Sequence, residues 1–525
     1  MYPIVTENDT IHMTEAYIPM SDGVRLYTRF AYPKGKEKCP IVFIRTPYEK
    51  AHNGKPHNIA LYDDDEYIKH GYGVVLQHVR GRGDSEGKCI PYVEREDGLA
   101  TLDFIRTLPF YDGEIYLYGR SYLSTVHFCY LDTKPRDIKG AVFDIQTDRM
   151  YFRNYRNGCC YDFCKIDWWA SMMKRTYPDY NLDGTLTMPY KDVARRVFGE
   201  DVPEYTALLL NDTNNDFWRN DPRENVIDAI DFPVLFRDGW YDYYTYGMFD
   251  MWKRLSEKVK EKSAFVVGPW GHDTRVSEKA ALPIKNCTLP IDHAADWFDS
   301  IRENRNYKYA DRGKVHYHSM GGDKWNTAIY PQKDKDTLKL FFSQDRTMKK
   351  ESSEGEITYR YDPQKKNKLF EYGTIHEAAP VGAREDIISF ISDEISEETD
   401  FFGNIRWHMN VKSSCDDTAF FMRVHFVRDG KAYNLTETIT SLTHISPDYR
   451  RGEIIELDLE APPIGFTLKK GDKIRVDISS NGSIYVPHSN LKCHWAKAPK
   501  TRIATNTILM NDAFIEIPKK GRLLK

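Results

Sequence analysis

Along the first 145 residues, short apolar runs alternate with stretches of helical periodicity. Pro40–Ile44, Tyr72–Leu76, Glu114–Tyr118 and Ala141–Phe143 are short enough to read as strands. Between them, Glu94 to Leu108 carries Leu99, Leu102, Ile105 and Leu108 at three-residue spacing, with Phe104 widening the stripe. That is the pattern of an amphipathic helix, and strands alternating with such helices predict βαβ units and a parallel sheet.

From about 146 to 227 strand-like runs give way to aromatic and charged helical text, as in Trp168–Met173 and Tyr205–Leu210. This segment reads as a helical insertion. Strands return at Pro233–Phe236 and Ala264–Val267, and Asp292–Arg305, with Trp297 and Phe298, reads as a closing helix. Beyond residue 312 the runs Leu338–Phe342, Met422–Phe426, Ile454–Leu459 and Lys473–Ile478 largely alternate at period two, which favours a β-sandwich. The predicted organisation is an α/β core over 1–145 and 228–311, an inserted cap over 146–227 and an all-β domain over 312–525. No internal repeat interrupts this plan.

Composition narrows the class. With 41% hydrophobic and 29% charged residues the chain has the balance of a globular protein. A net charge of −4 gives no basic surface for nucleic acid. No run of about 18 apolar residues offers a membrane span, and Met1-Tyr2-Pro3 opens onto polar text rather than a signal peptide. The nine cysteines form neither a disulfide framework nor CxxC pairs. Cys159, Cys160 and Cys164 cluster, but with no second ligand pair they read as reduced thiols, and the expected location is the cytoplasm.

Chemistry gathers where strands end. Ile44 runs into Arg45-Thr46-Pro47-Tyr48, Val79 into Arg80–Gly87, Tyr118 into Gly119-Arg120-Ser121-Tyr122, Phe236 into Arg237–Asp242, and Val267 into Gly268-Pro269-Trp270-Gly271-His272. In a parallel sheet these motifs emerge on one edge, where ligands bind. Gly119-x-Ser121 between a strand and a helix fits a nucleophile elbow. A serine hydroxyl needs a base, and the base needs a carboxylate to fix its tautomer. His272 is the histidine among the strand-end motifs after Ser121. Asp238, Asp242 and Asp273 compete as the acid, and Asp242 is preferred: Asp238 sits close to its strand, and Asp273 adjoins His272 in sequence. The Tyr122 amide is one oxyanion donor by the logic of the elbow. Tyr48 is a candidate for the second, and position alone does not decide it.

The ordered set Asp22-Gly23-Val24, Arg45–Tyr48, Arg80–Gly83 with Ser85-Glu86-Gly87, Gly119-x-Ser121-Tyr122, Gly239–Asp242 and Gly268-Pro269-Trp270-x-His272 resembles the CocE/NonD hydrolases, the cocaine esterase and X-Pro dipeptidyl-peptidase group. The resemblance spans nearly the whole chain. It implies an α/β-hydrolase core, a helical cap and a C-terminal jelly-roll (galactose-binding-like) domain. It also implies a Ser121–His272–Asp242 triad, and Tyr48 with Tyr122 as the oxyanion hole. No cofactor and no metal are implied. The expected function is cleavage of carboxylic esters or amides through an acyl-enzyme. X-Pro dipeptidyl-peptidase activity is the alternative within enzymes, and a non-catalytic carbohydrate- or partner-binding protein on a hydrolase scaffold is the alternative of another class. The family's jelly-roll and cap surfaces often make contacts, which leaves a homo-oligomer open.

Two departures bear on substrate. Ser124 stands where the family's elbow usually has glycine, and Tyr244 and Thr245 stand where relatives acting on α-amino acid esters carry acidic residues. A substrate ammonium therefore lacks carboxylates on this loop, leaving Asp162 or Asp167 of the cap. An X-Pro peptidase must anchor a free amino terminus, so that activity ranks below a general esterase. Phe163, Trp168, Trp169, Trp240 and Trp270 are candidate pocket aromatics, with core packing as the equal reading for those of the cap. His316-Tyr317-His318 reads as decoration on a sandwich edge, Tyr62–Glu66 as a solvated loop, and Arg80–Asp84 as glycine turns with buried Arg–carboxylate pairing.

Overall fold

The computed structural model describes residues 4–7, 10–48, 51–52, 55–56, 64–161, 165–173, 189–285, 287, 294–332, 336–365, 373–482 and 484–521. Its first sheet contains, among the described residues, β1 (Ile4–Glu7), β2 (Ile11–Pro19), β3 (Arg25–Pro33), β4 (Cys39–Thr46), β5 (Gly73–His78), β6 (Tyr111–Arg120), β7 (Ile138–Asp144), β8 (Val234–Gly239), β9 (Ala264–Gly268), β10 (Val315–Ser319) and β11 (Lys324–Ala328). Their order is β1-β2-β3-β5-β4-β6-β7-β8-β9-β10-β11. From β5 to β10 all neighbours are parallel, while β1–β3 and β11 run antiparallel at the two margins. The central strands β4, β5, β8 and β9 are buried along their whole length. Continuous apolar runs are what a sheet covered on both faces demands.

Helices supply the covers. The predicted amphipathic segment is α1 (Arg95–Arg106), which turns Thr101, Leu102 and Ile105 inward. α2 (Tyr122–Phe128) leaves β6 through the elbow and is buried throughout. The segment from 146 to 227 is mainly helical, with α3 (Met150–Asn154), α4 (Lys165–Met172) and α5 (Pro203–Leu210), but it also holds a small hairpin pairing Tyr155–Arg156 with Cys159–Cys160. Helix α6 (Thr245–Arg254) follows β8, and α7 (Ala294–Arg302) closes this part of the chain with Trp297 and Phe298 fully buried.

The first sheet does not stop at the expected boundary of 311. β10 and β11 extend it, so His316-Tyr317-His318 lies in this sheet and not on a sandwich edge. The alternating text of a sheet margin looks the same as that of a sandwich strand, which is why the pattern misplaced it. Both imidazoles contact Trp325, His316 stacked at 5.0 Å and His318 edge-on at 5.5 Å.

The remaining described chain is β-structured apart from a short helix, Leu442–Ile445, and a 3-10 turn at Trp495–Lys497. A long sheet winds from Lys431–Ser441 through Ala419–Arg428, Lys473–Ser479 and Ile388–Ser392 to Ala504–Pro518 and Arg406–Ser413. It docks firmly on the first part. Met320 and Thr467 exchange backbone hydrogen bonds with their neighbours across the junction, Tyr241 Oη donates to the Asn434 carbonyl, and Val486 N–H donates to the Cys160 carbonyl.

One buried carboxyl couples this packing to pH. Glu224 has a side chain only 5% exposed, with Arg149 Nε 3.6 Å away. Burial, and then the like charge of Asp148, push its pKa from 4.5 up to about 7. The folded state thus keeps a proton that the unfolded chain releases. This group's contribution is full below pH about 4.5 and is lost as pH rises through 7. Glu224→Gln cannot ionise, so its stability relative to the parent should improve by roughly 2 kcal/mol from pH 4.5 to 8. Denaturant melts at both pH values check this, and an unchanged difference would refute it.

Candidate active site

The strand-end motifs do converge. Ser121 sits between β6 and α2 at φ 55°, ψ −125°, a left-handed conformation that a serine adopts only when its surroundings enforce it. Three contacts enforce it here. Ser121 N–H donates to the Asp144 carbonyl at the end of β7 (2.9 Å), and Ser124 N–H returns to the Ser121 carbonyl (2.9 Å). Gly119 lets the strand and helix touch, because a Cβ there would lie 2.6 Å from the Ser124 backbone. The close approach is therefore met at Gly119. Ser124 is fully buried and its hydroxyl lies 3.4 Å from the Asp144 carbonyl, so the departure at that position leaves the elbow closed.

His272, four residues past β9, places Nε2 3.0 Å from Ser121 Oγ. Its Nδ1 lies 2.6 Å from Asp242 Oδ2. An ionised carboxylate only accepts, so Nδ1 carries the proton and Nε2 turns its lone pair to the serine. The Asp242 side chain is 0% exposed, and its other oxygen accepts the Tyr244 N–H at 2.7 Å. The competing acids go elsewhere. Asp238 is buried and accepts the Gly239 N–H (2.8 Å), with burial and then Asp242 holding its carboxyl well above the usual range. Asp273 is exposed. Tyr243 stacks on the imidazole at 4.9 Å, with its hydroxyl 3.4 Å from Nε2. Arg120 Nη2 donates to the His272 carbonyl (3.0 Å), tying that loop to the elbow.

On the other side of Ser121, the Tyr122 ring is fixed in depth. Its hydroxyl donates to Glu94 and accepts the Tyr92 N–H at 2.7 Å. Burial raises the Glu94 carboxyl and raises the Tyr122 phenol well above its ordinary range. Anchoring the ring anchors the Tyr122 amide that follows the serine. Tyr48 is held by its N–H to Thr46 Oγ1 (3.1 Å), and its hydroxyl lies 3.3 Å from Trp168 Nε1.

The Arg80–Asp84 loop divides its work in a way the sequence reading missed. Arg80 does pair with carboxylates, bridging Asp97 and Asp22. Arg82 is buried but donates to backbone carbonyls: Pro47 at 2.7 Å, Ser171 at 2.9 Å and Met172 at 3.2 Å. Beneath the elbow, Arg237 forms a two-pronged pair with Asp144 at 2.7 and 2.6 Å.

The pocket aromatics separate. Trp168 is half-buried and packs between Tyr92 and Tyr122, beside Tyr48. Trp169 is 3% exposed and packs on Tyr205 within the cap. Trp240, stacked on Phe249 with Nε1 donating to the His318 carbonyl, is 6% exposed. It borders a separate cavity of about 60 Å³ shared by Asp242, Arg156 and Glu437. Trp270 is 3% exposed and packs against Trp325. Trp169 and Trp270 thus show little surface, and Trp240 turns what it has toward the cavity beside Asp242. Phe163, Asp162 and Cys164, and the Asp167 side chain, lie outside the described residues. So do Tyr62 and Asp63, while Glu66 of that run belongs to a short helix and contacts His70.

Among the described residues, two three-residue groups could hold a cation by distance, His70–Asp296–Asp299 and His408–Glu456–Asp458. In the first, Lys308 Nζ already lies 2.7 Å from Asp296. In the second, Arg406 engages Asp458 at 2.7 and 2.6 Å. No helix among the described residues is long and apolar enough to cross a membrane.

This fold carries a serine at a strained strand–helix turn with a histidine and a buried aspartate in line, which defines a serine hydrolase of the α/β-hydrolase fold. Residues 22–274 match the X-Pro dipeptidyl-peptidase (S15 family) domain, and residues 308–514 match the X-Pro dipeptidyl-peptidase C-terminal non-catalytic domain. The chain belongs to this family of CocE/NonD-type hydrolases. It is 24% identical to a cocaine esterase of Rhodococcus sp. (strain MB1 Bresler), over 88% of this chain and 90% of that one. Among solved structures it is similar to an α-amino acid ester hydrolase (TM-score 0.82, 18% identity, 99% of this chain and 98% of that one). It is similar also to an aminopeptidase from a Thaumarchaeota archaeon (TM-score 0.80, 17% identity, 99% and 98%) and to a CocE/NonD family hydrolase of Staphylococcus aureus (TM-score 0.70, 16% identity, 97% and 94%).

Proposed function

We propose that Ser121, His272 and Asp242 are the catalytic triad of an esterase or amidase, with the Tyr48 hydroxyl and the Tyr122 amide receiving the oxyanion. The relay of 3.0 Å from Ser121 to His272 and 2.6 Å from His272 to Asp242 carries this reading. As Ser121 Oγ attacks the carbonyl carbon, its proton passes to Nε2, and the imidazolium that forms is stabilised by Asp242. The carbonyl oxygen becomes an oxyanion between two donors set before the reaction starts. Collapse of the tetrahedral intermediate expels the alcohol or amine, which takes the proton from Nε2. Water then repeats the sequence on the acyl-enzyme, with His272 again as base.

Among the described pocket aromatics we assign Trp168 to the substrate cleft, because it is the half-exposed ring beside Tyr48. We place the protein in the cytoplasm, where thiols stay reduced. The direct test is covalent: a fluorophosphonate should label the native protein once, at Ser121, as read by peptide mass spectrometry. An unlabelled native protein, or label at another serine, would overturn the assignment. Release of chromophore from an aryl ester but not from a Gly-Pro anilide separates the esterase from the X-Pro peptidase.

A further inference from the structure

Arg153 lies on α3, in the cap, and has no part in the relay. Its Nε donates to the Tyr244 hydroxyl at 2.7 Å. The guanidinium carbon stands 5.1 Å from the centre of the Tyr92 ring and 5.4 Å from that of Trp168. Both neighbours border the reacting groups. Tyr244 gives its amide to Asp242 and its ring lies 5.8 Å from His272. Trp168 Nε1 lies 3.3 Å from the Tyr48 hydroxyl. One cation thus spans the cleft from the histidine wall to the oxyanion wall.

Among the described residues no carboxylate is paired with Arg153, and the groups acting on it are the hydroxyls of Tyr244, Tyr92 and Tyr243. Other carboxylates of this region are engaged: Asp221 with Arg223, Asp250 with Arg149, Asp242 with His272. Arg82 and Arg237, also buried around the site, have their acceptors. A half-buried charge with no carboxylate partner among the described residues is costly to a fold unless something else offsets it. With Nε held by Tyr244 and the stacked Tyr92 and Trp168 rings beside the guanidinium, the Nη1 and Nη2 donors are left as a fork. That geometry matches the two oxygens of a carboxylate.

We propose that Arg153 receives an anionic group of the substrate, so that the favoured esters or amides carry a carboxylate a few atoms from the scissile carbonyl. The inference rests on the triad reading above. The anion can belong to the acyl part or to the leaving group, and paired probes distinguish these: mono-4-nitrophenyl glutarate against 4-nitrophenyl valerate, and 4-acetoxybenzoate against phenyl acetate. The wild-type enzyme should prefer the anionic member of one pair by about 10-fold or more in kcat/KM, mainly through KM. Arg153→Met should lower kcat/KM for that anionic member by about 10- to 100-fold more than for its neutral partner, the range of a hydrogen-bonded charge. Arg153→Lys, which keeps the charge but not the fork, should fall between. Free glutarate or benzoate, matching the favoured pair, should also compete with the neutral ester on wild-type enzyme, and more weakly as salt is raised. This last measurement needs no variant to fold.

Equal kcat/KM for both members of both pairs, or a preference unchanged in Arg153→Met, would overturn the inference while leaving the hydrolase in place. Failure to cleave any of the four esters, with no label at Ser121, would instead remove the triad reading and this inference with it.

Discussion

Replacing Ser121 with alanine is expected to lower kcat for an aryl ester by about 10⁶-fold, the scale on which triad nucleophiles act. The fold should survive the change. Ser121 already holds a non-glycine side chain at φ 55°, so alanine adds no new backbone strain, and the elbow is fixed by main-chain bonds to Asp144 and from Ser124. Circular dichroism melts of the two proteins should therefore coincide while turnover collapses. A variant within 100-fold of the parent, after active-site titration of both, would remove Ser121 from the mechanism.

The second large effect is expected at Asp242. Asparagine is nearly isosteric, but its two ends are not interchangeable here. The Tyr244 N–H, 2.7 Å from Oδ1, demands an acceptor, so the amide oxygen must face it and the amide NH₂ must face His272 Nδ1. Nδ1 then becomes the acceptor and Nε2 carries the proton. In that tautomer the imidazole cannot take a proton from Ser121. We expect kcat to fall by about 10⁴-fold, with the backbone undisturbed. Rates measured from pH 6 to 10, with a structure of the variant, check the explanation. A loss under 10-fold would show that Asp242 does not set the tautomer. Asp238 cannot take over, because it is buried one turn away with its own oxygen on the Gly239 N–H.

The meeting of Ser121, Asp242 and His272 was legible because each follows directly on an apolar run, and a parallel sheet sends all such ends to one edge. Strand positions for β4 to β9 were legible for the same reason: continuous burial writes itself as continuous apolar text. At β10 and β11 the signal failed, since a sheet margin alternates like a sandwich. The tryptophans were less legible. Whether Trp240 or Trp270 lines a cleft or fills a core depends on what packs over it, here Phe249 and Trp325, far away in the chain. Arg153, Tyr92 and Glu94 sit in no motif and are brought to the site by the docking of the cap and the α1 entry. Only Tyr243 left a trace, as the residue beside the acid. For Arg82, composition suggested carboxylate partners, but backbone carbonyls have no sequence signature at all.

Those carbonyls have a mechanical meaning. Through one guanidinium, the Pro47 turn that carries Tyr48 is tethered to the last turn of the cap helix α4. The cap cannot lift away from the core without stripping a buried charge of two of its acceptors and slackening the turn beneath Tyr48, the proposed oxyanion donor. Door and trigger share one hinge pin. An enzyme caught ajar is then also an enzyme disarmed, and water that enters early meets a site not yet set to react.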